Sequence, residues 1–97
     1  MDIFDKIVEN IIKEQELIIG PVAWDEARKV KGIKIINPAV GEVVVEKNGD
    51  EREVINKLVS QYERLFGRAS HEVCRHAAAK LVANMPTTDV PSSLRLA

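Results

Sequence analysis

The chain is poor in the residues that usually announce a function. It holds one cysteine, Cys74, in 97 residues. No disulfide can form within it, and a reducing, cytoplasmic setting is the natural reading. Apolar runs stop at three residues, as in Leu17-Ile18-Ile19 and Val43-Val44-Val45, against the roughly 20 needed to cross a bilayer. No membrane partner is expected. The opening Met1-Asp2-Ile3-Phe4-Asp5-Lys6 lacks the basic stretch and continuous apolar core of a secretory signal. Charge of one sign is not in excess either, with 14 Lys and Arg against 15 Asp and Glu. Binding driven by nucleic-acid phosphates usually shows a strongly basic balance, so a nucleic-acid partner is disfavoured. Trp24 has no second aromatic beside it to build a cage or a base-stacking surface. The five glycines, at 20, 32, 41, 49 and 67, fall at expected element boundaries and form no phosphate loop.

What is present is the material of a folded core. Isoleucine, valine and leucine fill 28 positions, far from the composition of a disordered chain. One small α+β domain over residues 1–84 is expected, followed by a flexible or docking tail over 85–97.

Ile3, Phe4, Ile7, Val8, Ile11 and Ile12 recur at helical spacing and predict an amphipathic first helix running on through Leu17 and Ile18, with Asp2 able to cap it. Gly20-Pro21 breaks it. Proline suits the first turn of a new helix, so Pro21 to about Val30 reads as a second one, with Ala23, Ala27 and Val30 inward. The period then changes to two. Gly32–Ile36 and Glu42–Glu46 read as a hairpin with Ile33, Ile35, Val43 and Val45 inside, and Ile36 and Val44 outside among Lys34, Glu42 and Glu46.

Asp50 with Glu53 matches a capping box ahead of the strongest stripe in the chain: Val54, Ile55, Leu58, Val59, Tyr62, Leu65 and Phe66. Gly67 ends that third helix, Ser70 is placed to cap a fourth, and Val73, Cys74, Ala77, Ala78, Leu81 and Val82 form the next inward face. The order is therefore two helices, a β-hairpin and an αα-hairpin, or α-α-β-β-α-α. From Met85 onward no period survives.

Three chemistries are weighed on these residues. His71 and Cys74, three apart on one helical face, offer two soft ligands to a metal, yet a structural zinc site takes four and no second cysteine exists. With His71 as base and Arg75 lowering the thiol pKa, Cys74 is a candidate reactive or redox-sensing site. A cysteine on an apolar stripe is more often an inert, buried hydrophobe. Helices over 51–66 and 70–84 can be drawn as a helix-turn-helix offering Ser70, His71, Glu72 and Arg75 to DNA, with Glu72 a poor choice against phosphates. Asp25 and Glu26 diverge on their helix and complement its dipole better than they form a catalytic pair. No cofactor and no catalytic residue is nominated.

The leading expectation is a small self-associating interaction or regulatory module, a homodimer that serves a larger cytosolic protein. Two features motivate it: a two-stranded sheet with a half-apolar outer face, and a wide stripe on the first helix. The candidate interface is Ile3, Ile7, Ile11, Ile36 and Val44.

Overall fold

A computed structural model describes residues 2–95. The helices are α1 (Ile3–Ile19), α2 (Val22–Arg28), α3 (Glu51–Phe66) and α4 (Arg68–Val82), and the strands β1 (Ile33–Asn37) and β2 (Glu42–Val45) form an antiparallel hairpin between α2 and α3. This is the α-α-β-β-α-α order expected from the periodicities.

α1 is the spine. Its start is fixed by a reciprocal cap in which the Asp5 N–H donates to Asp2 Oδ1 at 2.9 Å and the Asp2 N–H to Asp5 Oδ2 at 3.4 Å. Gly20, at φ 78°, ends it, its N–H reaching the Glu16 carbonyl at 2.9 Å. Ile7, Val8, Ile11 and Ile12 lose all contact with water, packed with Val43 and Val45 of β2, with Ile55, Leu58, Val59 and Tyr62 of α3, and with Cys74 and Ala78 of α4. Asn10 Nδ2 meets the Ala77 carbonyl at 3.5 Å and Gln15 Nε2 the Ser70 carbonyl at 2.9 Å, so α1 and α4 run antiparallel.

The cap expected at Asp50 is simpler than a box: Asp50 Oδ1 accepts from the Arg52 N–H at 3.0 Å, and it is the Arg52 guanidinium that returns to the same carboxylate. Ser70 does not cap α4. That helix begins two residues earlier, behind Gly67 at φ 90°, and Ser70 is buried in its first turn. Leu65 and Phe66 at the end of α3, and Leu17 and Ile18 near the end of α1, are exposed; on α1 Gln15 and Ile19 to either side turn inward, so Leu17 and Ile18 occupy its outer arc.

The hairpin pairs Ile33 with Val45, Lys34 with Val44 and Ile35 with Val43, then slips so that Asn37 faces Glu42. The slip places Ile36 at an irregularity on the outer face. The turn is packed against α1: Gly41 has φ 74°, and a Cβ there would run into the side chains of Lys13 and Glu9. Burial alone would raise the Glu9 pKa, but Lys13 at 2.9 Å and Lys6 at 3.3 Å hold it below the usual glutamate value.

Residues 86–95 run across α3 and α4. Pro86 and Pro91 are both extended, and each precedes a single 3₁₀ turn, Thr87–Asp89 and Ser92–Leu94. Val90, Pro91 and Leu94 are buried against the helices. Polar ties accompany them: Arg52 Nη1 donates to the Thr88 carbonyl at 2.7 Å, and Asn56 Oδ1 accepts from the Ser93 N–H at 3.0 Å and the Ser93 hydroxyl at 2.6 Å.

Candidate functional site

Cys74 sits at the α1–α4 contact with no exposed surface. Gln15 Nε2 approaches its sulfur at 3.4 Å. Burial pushes the thiol up to about 11, the Gln15 hydrogen bond offsets this only in part, and the negative charge of Glu63 adds to the rise. The two residues grouped with it face elsewhere. His71 Nε2 lies 2.6 Å from the Ser93 carbonyl and donates to it, and Nδ1 lies 3.4 Å from Glu63. Arg75 Nε lies 3.5 Å from the same Ser93 carbonyl, and its Nη1 pairs with Glu72 at 3.0 Å. The thiol thus points to α1, while its supposed base and activating cation turn to the C-terminal segment.

Helical spacing put Cys74, His71 and Arg75 near one another, but an offset of three leaves His71 about 60° from Cys74 around the axis, and the adjacent Arg75 is about 100° away. That suffices to separate an inward thiol from outward-facing neighbours. Among the described residues no three His, Cys, Asp or Glu side chains are grouped to hold a metal ion. Of the residues drawn as reading DNA, Ser70 is buried with its carbonyl engaged by Gln15, His71 bonds to the Ser93 carbonyl, and Arg75 pairs with the exposed Glu72. Asp25 pairs with Arg28 at 3.0 Å, whereas Glu26 ties α2 to α3 by accepting from Gln61 at 2.7 Å.

The proposed interface residues divide. Ile7 and Ile11 have no exposed surface and belong to the chain's own core, so the first helix cannot offer them to a partner. Ile36 is 50% exposed and Val44 38%, with Val40 exposed in the intervening turn. Lys34, Glu42 and Glu46 are exposed around them. Ile3 is at the margin of exposure at the far end of α1.

No family model, curated protein or solved structure matches the chain.

Asn56 and Ser93, which organise the polar contacts of the C-terminal segment, were not singled out by sequence. Asn56 lies off the apolar stripe of α3, and Ser93 falls where no period exists; nothing in the residue types marks them.

The buried thiol makes a kinetic prediction. Alkylation of Cys74 in the folded chain near neutral pH should run at least about a hundredfold slower than that of a free cysteine of pKa about 8.5. Mass spectrometry of timed iodoacetamide reactions measures it, and a rate equal to that of free cysteine would contradict the site described here.

Proposed function

We propose that this chain is a small interaction module that pairs with a second copy of itself through the outer face of its hairpin. One observation carries the reading: Ile36 and Val44 stand exposed together on a face that also bears Lys34 and the two acids Glu42 and Glu46. A face holding both charges beside an apolar centre is self-complementary, because a two-fold axis brings the lysine of one copy to the glutamates of the other. The inner face of the same hairpin is already committed to α1 and the core.

Strands of five and four residues give a face well below the roughly 800 Å² per partner of a standard interface. The expected affinity is therefore in the micromolar range, suited to a reversible regulatory contact.

Sedimentation equilibrium from micromolar to hundreds of micromolar should show the mass rising from 10.8 kDa towards twice that value. Ile36→Lys with Val44→Lys should hold the chain at the monomer mass while its circular dichroism stays unchanged. Lys34→Glu should weaken pairing, and adding Glu46→Lys should restore it. A wild-type chain that remains monomeric at the highest concentration overturns the proposal.

A further inference from the structure

α4 and the C-terminal segment enclose a half-open groove of about 370 Å³. Its walls are apolar, with Ala79 and Val82 from α4, Met85 just beyond it, and Val90 and Leu94 from the segment; Thr87 contributes a hydroxyl. The charged side chains on its lining are Arg75 and Arg95, both cationic.

At one end Arg75 Nε is 3.5 Å from the Ser93 carbonyl, and Arg95, two residues after Ser93 in the chain, also lines the groove. From Arg75 the groove follows α4 to Ala83, about 12 Å of helix at 1.5 Å per residue. Glu72 pairs with Arg75 Nη1 at 3.0 Å from the exposed side, so one positive charge is left in excess at that end. The groove is polarised, cationic at one end and apolar along the rest.

We infer that this groove binds a free medium-chain carboxylic acid, its carboxylate between Arg75 and Arg95 and its alkyl chain along Ala79, Val82 and Leu94. Planar guanidinium groups match a carboxylate through charge-assisted hydrogen bonds. A pocket of this size and length accommodates about eight to ten carbons. The site is separate from the outer hairpin face and does not depend on pairing.

The test titrates decanoate, below its micelle concentration, into the full chain and follows the amide resonances of Ala79, Val82 and Leu94. Decanol and decyltrimethylammonium serve as chains of equal length with the charge removed or reversed. Decanoate should bind saturably at one per chain and at least about tenfold more tightly than either. Arg95→Glu should remove about that tenfold advantage. Ala79→Trp, at an exposed position of α4, should abolish binding with the melting temperature retained. Equal affinity for the three ligands, or non-saturable shifts, overturns the inference. So does an absence of binding.

Discussion

Tyr62→Ala should cost about 4 kcal/mol, in the range of large aromatic truncations in a packed core. Small domains hold only about 5–15 kcal/mol in total, so this variant should be unfolded in a substantial fraction of molecules at physiological temperature. Tyr62 has no exposed surface, and its hydroxyl donates to the Ala23 carbonyl at 2.6 Å, joining α3 to α2. α2 is seven residues long, too short to persist without tertiary support, and its first-turn carbonyl would be left without that partner. Burial drives the Tyr62 pKa far above the ordinary tyrosine value, and the neighbouring Cys74 and Glu26 add to the rise. The hydroxyl therefore remains a donor over the whole working range of pH.

Tyr62→Phe separates the two contributions. It keeps the ring and loses one buried hydrogen bond, for an expected cost of about 1–2 kcal/mol. Urea denaturation followed by Trp24 fluorescence measures both variants. A Tyr62→Ala loss below about 1 kcal/mol would mean that the ring is not the keystone between α2 and α3.

Much of the architecture was legible in the residues. Ile7, Val8, Ile11 and Ile12 announced α1, and Val54 to Tyr62 announced α3, because each stripe repeats at 3.6 residues and is bounded by glycine. The alternation of the valines and isoleucines over residues 33–45 set the inner and outer faces of the hairpin, since side chains on a strand change sides at every step. Periodicity says which face is apolar but not how much partner surface the fold supplies. This is why Ile7 and Ile11, assigned to an interface with a second copy, are enclosed by the chain itself, and why Leu65 and Phe66 fall beyond the core.

The site was less legible. A helical offset of three places Cys74 and His71 on neighbouring arcs, but the direction of each side chain depends on what packs there: Gln15 from α1 for one, Ser93 for the other. The docking of residues 86–95 rests on Val90, Pro91 and Leu94 fitting a surface made by α3 and α4. A segment recognised by surface fit carries no period of its own.

Asp5→Ala should cost about 3 kcal/mol, although this residue sits in the first turn of a helix where acids are usually worth well under one. Its carboxylate does three things at once. Oδ1 accepts from the Val45 N–H at 2.8 Å and from Lys47 Nζ at 3.2 Å, and Oδ2 accepts from the Asp2 N–H. The Val45 bond closes a buried backbone amide on the edge of β2, and losing it leaves a donor that water cannot readily reach. Burial works against the charge on Lys47, but hydrogen bonds from its ammonium group to Asp2, Glu51 and Asp5 outweigh that and hold its pKa above the ordinary lysine value. Lys47 thus fastens the start of α1 to the starts of α3 and the exit of β2. Asp5→Asn retains an amide oxygen for Val45 and loses the charge, so about 1 kcal/mol is expected. Combining Asp5→Ala with Lys47→Met should cost less than the sum of the single changes by about 0.5–1 kcal/mol, since both break the same contact. Urea titration of the four chains closes the cycle, and strict additivity would show that the carboxylate and the ammonium act independently.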